Sequence, residues 1–282
     1  MNSTLLPMAG ALCRGYAGPV ISPATDPRSA SDLLDAALQA DDNAAWNAVA
    51  ALHWRGSKEV LDRAVTFTRS PDPALRGRGA NILGQLGVPK RTFPEECFSA
   101  VLPLLGDNVE SVVRDAVYAL QHIDGTRASV HIIPFAGHAN DDIRHAVAFG
   151  LGAVDAPEAH KALLTLMQDR NPDVRNWATF GIGQQSDADT DQIRAALASA
   201  LSDDDDDVRY EGVIGLARRR DARAVPYLKL MLQDDPDDGL AQAAAARLLG
   251  LGEGEQVATA HLLGALQRLQ RWRGRRTPPL NK

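Results

Sequence analysis

The chain repeats a short pattern along most of its length, and this repetition constrains its fold more than any other feature. The segments that begin at Asn171 and Asp205 read NPDVRNWATFGIG and DDDVRYEGVIGLA. Each opens with polar capping residues, continues with Val-Arg, and ends in an apolar stretch rich in small residues. The segments from Glu110 and Asp141 follow the same plan. A period in the thirties with two amphipathic helices per unit indicates an α-solenoid.

The repeat register divides the chain into units. Aligned on the position that follows Val or its equivalent, the units are anchored at Trp46, Arg76, Arg114, Arg144, Arg175, Arg209 and Ala241, with spacings of 30 to 38 residues. We therefore predict an all-α fold, a right-handed superhelix of about seven stacked helical hairpins over residues 30–270. The two terminal units lack the arginine, as is typical of units that cap a stack. The longest interval holds an insertion at residues 88–94, predicted to protrude as a loop from one rim.

Local signals place the helices within a unit. Residues 163–167 are predicted to form one helix, residues 169–173 the turn, and residues 174–181 the next helix. Asn171 is suited to cap that helix, and Pro172 suits its first position, where a missing N–H has no cost. Ser31 is the corresponding candidate cap for the first helix of the chain.

Composition excludes several classes of protein. The formal net charge is −6, which argues against a general nucleic-acid binder, since such proteins carry a basic surface. Cys13 and Cys97 are far apart and show no metal-ligand spacing, which favours a reducing, cytoplasmic location. No run is apolar enough to span a membrane. Residues 1–29, with Gly, Pro and Ser but no helical periodicity, are predicted to be a flexible N-terminal arm.

The turn residues carry a family resemblance. An aspartate followed six positions later by an arginine recurs as Asp169 with Arg175 and as Asp203 with Arg209. This signature resembles the HEAT-repeat family, specifically its short bacterial phycobilisome-lyase-type repeats, over about residues 31–252. The resemblance implies a ladder of polar contacts between adjacent units. Its predicted members are Asp169, Arg175, Asp203, Arg209, Arg144 and Arg114. Ser70 and His138 replace the turn aspartate in two units, where we expect the ladder to be interrupted.

No catalytic motif is found, and we expect no catalytic residue, metal or cofactor. The metal-dependent hydroxylases of this repeat class carry His-Glu pairs, which this chain lacks. His138, Asp141, Asp142 and His145 bunch near one turn, but capping explains such residues better than a metal does. The five aspartates at positions 203–207 are likewise interpreted mainly as helix-capping residues.

A basic segment closes the chain at residues 271–282, and we predict it to be a tail outside the solenoid. Its basic residues, with those just before it, are Arg268, Arg271, Arg273, Arg275, Arg276 and Lys282, and Trp272 lies among them. It could dock on nucleic acid, an acidic lipid surface or an acidic protein, or lie solvated. Nucleic acid is the less favoured partner because the rest of the chain is acidic.

Aromatic side chains from successive units point to a binding surface. The resemblance implies that the arginine-bearing helices line the concave face of the solenoid. The side chains expected there are Tyr118, His122, His145, Trp177 and Tyr210, whereas ordinary helix packing is the alternative, most of all for Trp177, Phe149 and Phe180. Aromatic anchors with Arg are enriched at protein interfaces.

Three functions remain open from the sequence. The leading hypothesis is a non-enzymatic scaffold or adaptor whose groove binds a protein, with a basic partner favoured by the acidic rim. The resemblance is compatible with a toxin-neutralising (immunity) or regulatory role. The first alternative is a bilin lyase-like or chaperone-like helper enzyme, and the second is nucleic-acid binding through the basic tail.

Overall fold

The structure is a computed structural model that describes residues 22–39, 42–252 and 257–274. Within these residues every regular element is helical and no strand occurs, which confirms the predicted all-α solenoid. The α-helices are α1 (Ala30–Ala36), α2 (Asp42–His53), α3 (Lys58–Phe67), α4 (Pro73–Gly84), α5 (Pro94–Val101), α6 (Glu110–Ile132), α7 (Asp141–Leu151), α8 (Pro157–Leu166), α9 (Pro172–Phe180), α10 (Asp191–Ala200), α11 (Asp206–Arg218), α12 (Val225–Asp234), α13 (Gly239–Leu249) and α14 (Thr259–Gly274). No helix in these ranges is both long and apolar enough to cross a bilayer.

The helices alternate between two layers. One layer, which we call the second-helix layer, consists of α2, α4, the first part of α6, α7, α9, α11 and α13, and each of these helices packs on the next. The residues on which the repeat units were aligned, from Trp46 to Ala241, all lie in this layer. The first helices of the units, such as α3, α8 and α10, form the other layer and cover the apolar faces of their partners.

Glycines let neighbouring members of the second-helix layer approach closely. A Cβ atom added to Gly181 would lie 2.8 Å from the Cα of Gly152, and one added to Gly215 would lie 2.8 Å from the Cα of Gly183. Contacts between successive first helices are sparser. A stack that is more closely spaced in one layer curves towards that layer, so the second-helix layer forms the concave face.

Side-chain caps set the starts of the second helices. Oδ1 of Asn171 accepts the amide of Asp173 (2.9 Å) and Pro172 takes the first helical position, as predicted. The prediction that Ser31 caps the first helix is wrong. Ser29 caps α1, because the Asp32 side chain also returns a hydrogen bond to the Ser29 amide and completes a capping box.

Helix α6 joins two units without an intervening turn. It is continuous apart from Asp124, whose backbone is extended (φ −157°, ψ 90°). The carboxylate of Asp124 accepts the amide of Arg127 (3.0 Å) and so caps the second half of the helix. The first half of α6 therefore belongs to the second-helix layer, and its second half is the first helix of the following unit.

The insertion at residues 88–94 does not protrude as predicted. The amides of Gly87 and Val88 donate to the carbonyl of His53 at 2.7 and 3.0 Å, and Thr92 donates to Leu86 at 3.1 Å. The loop therefore closes over the C-terminal end of α2, where a helix leaves carbonyls without intrahelical donors. Pro89 and Lys90 at its tip and Pro94 at its end are exposed, while Arg91 is half-buried.

The two ends of the chain are described only in part. Residues 22–29 of the predicted arm lie against α2, where Nη2 of Arg55 donates to the carbonyl of Arg28 (2.9 Å) and Asp26 is buried. Residues 271–274 of the predicted tail continue α14. The rest of both segments, with Cys13, lies outside the described residues. Cys97 is a buried free thiol.

Candidate functional site

The predicted ladder joins the turns of successive units. Nε and Nη2 of Arg144 donate to the two carboxylate oxygens of Asp169 at 2.6 and 2.8 Å. Arg175 forms the same bidentate ion pair with Asp203, at 2.8 and 2.7 Å. A pair that was not predicted, Arg76 with Asp107, repeats the geometry at 2.6 and 2.8 Å. Each arginine thus reaches the turn of the following unit.

Two arginines of the predicted ladder, Arg114 and Arg209, bind carboxylates of their own unit instead of the next one. Arg114 would meet His138, which replaces the turn aspartate, and it binds its neighbour Asp115 instead (2.9 Å). Arg209 pairs with Asp206 within its own helix. These ladder residues lie at the ends of the helices and support the stack; they leave the concave face to other side chains.

An aromatic row runs along the concave face across α6, α7 and α9. We define the row as Tyr118, His122, His145, Phe149, Trp177 and Phe180, all half-buried. Ring centroids of Phe149 and Trp177 are 5.0 Å apart, and those of Tyr118 and Phe149 are 5.5 Å apart. His145 contacts Trp177 at 5.9 Å. The rings meet edge to face, the arrangement that aromatic quadrupoles favour.

The row combines predicted residues with two that sequence reasoning assigned to packing. Phe149 connects His122 (5.8 Å), Tyr118 and Trp177, and Phe180 extends the row beyond Trp177 (5.6 Å). Phe149 and Phe180 each lie five residues after the repeat arginine, Arg144 or Arg175, and this shared position was the available signal. The fifth predicted residue, Tyr210, makes no ring contact with the row in the described structure; its hydroxyl donates to the carboxylate of Asp238 at 3.1–3.2 Å.

Burial keeps the row electrically neutral. It lowers the pKa of His122 to about 4, helped by repulsion from Arg91 and His53. Burial also lowers the pKa of His145, although Asp173 and Asp142 act in the opposite direction. Desolvation raises the pKa of Tyr118 to about 12. At neutral pH the row is therefore an uncharged aromatic surface.

A half-buried carboxylate lies beyond the row on α11. Glu211 occupies the repeat position that Trp177 occupies one unit earlier, two residues after the arginine. Oε2 of Glu211 accepts a hydrogen bond from Nε2 of Gln184 at 2.5 Å, and burial raises the pKa of Glu211 to about 7. Within the described residues no basic side chain pairs with it. Sequence reasoning missed Glu211, although its place in the register was a usable signal.

The remaining clusters have structural roles. Across residues 22–39, 42–252 and 257–274, no group of three or more His, Cys, Asp or Glu side chains is arranged to hold a metal ion. Nδ1 of His138 accepts the amide of Asn140 at 3.1 Å, whereas His145 faces Tyr118. In the acidic run, Asp203 belongs to the ladder and Asp205 caps α11.

Comparison with known proteins agrees with this architecture. A sequence profile of HEAT repeats matches residues 129–192 and 161–250. A comparison with curated protein sequences found no match to the chain.

Two solved structures show the same type of fold, and a third is more distantly similar. The chain is similar to the Escherichia coli protein YibA, with 23% identity, a TM-score of 0.67, and coverage of 86% of this chain and 93% of that one. An engineered protein is 17% identical with a TM-score of 0.50, covering 85% of this chain and 77% of that one. An archaeal HEAT-like repeats protein from Thermococcus onnurineus is 16% identical with a TM-score of 0.45, covering 86% of this chain and 99% of that one. At these identities the likeness concerns the fold alone. The profile therefore identifies HEAT repeats within residues 129–250, and the solved structures show the type of fold.

Proposed function

We propose that this protein is a non-enzymatic scaffold that binds a protein partner through the aromatic row. The observation that carries the proposal is the row itself: six neutral aromatic rings in contact, half-buried on the concave face. Side chains that large leave apolar surface for a partner to cover, and aromatic anchors dominate the energetics of protein interfaces.

The row is organised before a partner arrives. Successive rings contact one another across three helices, and the hydroxyl of Tyr118 lies 2.7 Å from Nδ1 of His145. Two ladder pairs, those of Arg144 and Arg175, link the turns at the starts of α7, α9 and α11. Side chains already held in place lose little conformational entropy on binding, so such a surface favours affinity.

The charges beyond the row favour a basic segment in the partner. Glu211 and Gln184 lie at this end, with Asp238 bound to Tyr210 near by. A lysine or arginine of the partner placed beside Glu211 would provide the cation that the described part of the chain does not. It would also restore the normal preference of that carboxyl for its charged form. An adaptor, regulatory or toxin-neutralising role is compatible with this proposal.

The test compares two tryptophans. Trp177→Ala removes the centre of the row, whereas Trp54→Ala removes a more exposed tryptophan (45% accessible) outside the row. Partners are captured from a lysate of the source organism, identified by mass spectrometry, and then titrated as purified proteins. We expect one protein whose affinity falls at least about tenfold with Trp177→Ala and is unchanged with Trp54→Ala.

Folding and charge controls accompany this comparison. Thermal melting establishes that Trp177→Ala is folded, and Glu211→Gln tests the charge without removing a large side chain. We expect Glu211→Gln to weaken the same partner, and the more so at low ionic strength. A partner that binds wild type and both tryptophan variants with equal affinity would exclude the row as the binding surface.

A further inference from the structure

A second cluster of charged and titratable side chains lies apart from the ladder and Glu211, around Arg91. This residue belongs to the loop between α4 and α5. Its backbone has a left-handed conformation (φ 55°), and its amide donates to the carbonyl of Gly87 at 2.7 Å. Non-glycine residues adopt this conformation at a cost, and such positions cluster at functional sites. The loop thereby holds the Arg91 side chain half-buried, close to His53 and His122.

The guanidinium of Arg91 lacks the partners that other buried arginines have. Arg144 binds the carboxylate of Asp169, and Arg219 donates to five backbone carbonyls, among them Ile182 and Ser186. By contrast, Nη1 of Arg91 is buried without any hydrogen-bond acceptor. No carboxylate within the described residues offsets its charge. A cation partly removed from water without a counter-charge is costly, so this position favours the binding of an anion.

The groups that face Arg91 from the neighbouring helices are neutral. Cys97 on α5 is a buried thiol whose pKa burial raises to about 12. On α2, Nε2 of His53 lies 2.9 Å from the carbonyl of Asn81, and burial lowers the pKa of His53 to about 4. His122 on α6 is half-buried and faces the concave surface at the end of the aromatic row. Of the four side chains named, Arg91 alone carries a charge at neutral pH, and Glu96, next to Cys97 in the chain, is exposed.

We infer that Arg91, with His122 beside it, forms a binding site for a small oxyanion, either a carboxylate or a phosphate group. The planar guanidinium fork matches two oxygens of such a group, and charge-assisted hydrogen bonds of this kind are strong. The anion would neutralise Arg91 and accept the N–H of the His122 ring. This inference concerns α2, α5 and α6 and does not rest on the aromatic row being a protein-binding surface.

The test monitors His122 by NMR in the full chain, with resonances assigned through His122→Gln. Inorganic phosphate and acetate are titrated separately, each against chloride at equal ionic strength. We expect a saturable shift of the His122 ring resonances and a rise of its pKa, because the bound anion cancels repulsion from Arg91. The anion that saturates the shift at the lower concentration identifies the preferred chemistry.

Three arginine variants make the result decisive. Arg91→Met should abolish the shift, and Arg91→Lys should weaken binding by about ten- to a hundredfold, as expected for the loss of a charged hydrogen-bond pair. Arg69→Met, at an exposed arginine on another turn, should behave as wild type. Because the Arg91 side chain lacks a partner among the described residues, Arg91→Met should melt no lower than wild type. An equal response to chloride, an unchanged response in Arg91→Met, or a large loss of stability in that variant would each overturn the inference. Trp177→Ala should keep the anion response whether or not the row binds a protein.

Discussion

The hydroxyl oxygen of Tyr118 lies 2.7 Å from Nδ1 of His145, so a hydrogen bond joins two successive helices of the concave face. Tyr118→Phe removes this bond and keeps the ring. We expect a loss of about 1 kcal/mol in the free energy of unfolding, the usual net value of a neutral hydrogen bond. Urea denaturation measures it. Tyr227→Phe is the matched control, since no hydrogen bond of the Tyr227 hydroxyl is found among the described residues; equal losses in both variants would contradict the prediction.

Asp169 belongs to the most buried ion pair of the ladder. Its side chain and that of Arg144 are 9% and 6% exposed. Asp169→Asn leaves the Arg144 guanidinium buried without its counter-charge, and we expect a loss of about 3–5 kcal/mol in unfolding free energy. The comparison is Asp189→Asn in the exposed pair with Arg194, where the side chains are 40% and 29% exposed and about 1 kcal/mol or less is expected. Similar losses for the two variants would show that the ladder contributes no more than a surface ion pair.

Glu211 should make stability depend on pH in the neutral range. Burial raises its pKa in the folded chain to about 7, above the ordinary 4.5, so the folded state binds more protons between these values. Unfolding free energy therefore falls as pH rises from about 4.5 to 7, by about 1–3 kcal/mol. Glu211→Gln should flatten this slope in urea titrations at several pH values. The exposed Glu158→Gln should not, and an unchanged slope in Glu211→Gln would assign the effect to another group.

Close approach of the second helices should make Gly181 intolerant of a side chain. A Cβ atom there would meet the backbone of Gly152 at 2.8 Å, whereas one at Gly137 would meet nothing within 4 Å. We expect Gly181→Ala to destabilise the chain by about 1–3 kcal/mol, as overpacking does. Gly137→Ala should have a much smaller effect on the melting temperature. If Gly181→Ala leaves the melting temperature unchanged, α7 and α9 must separate easily at this contact.

Much of the fold was predictable because its signals are local. Val-Arg, the capping Asn171 and Pro172 act within a few residues of one another, so the helix starts could be read directly. The start of α1 was misassigned because two serines compete there, and the side chain of Asp32 decides between them. The insertion was misjudged because its amides bind the carbonyl of His53, more than thirty residues earlier in the chain.

The candidate sites were less predictable. Trp177 and Tyr118 could be named from their helical positions, but the contact of both with Phe149 depends on how neighbouring units stack. That the Arg91 side chain has no partner in the described part of the chain could be recognised only from the positions of its neighbours in space.

The sequence by itself determined the repeat, the two helices of each unit and the Asp-Arg signature, because capping, helical periodicity and turn chemistry operate over short distances. Only the tertiary structure decided which charges are paired. Arg175 reaches Asp203 across the unit boundary, Arg114 turns to Asp115, and Arg91 and Glu211 are left without a partner of opposite charge among the described residues. Burial and pairing depend on distances between units that are far apart in sequence, and these distances fix the pKa values and the surfaces available for binding.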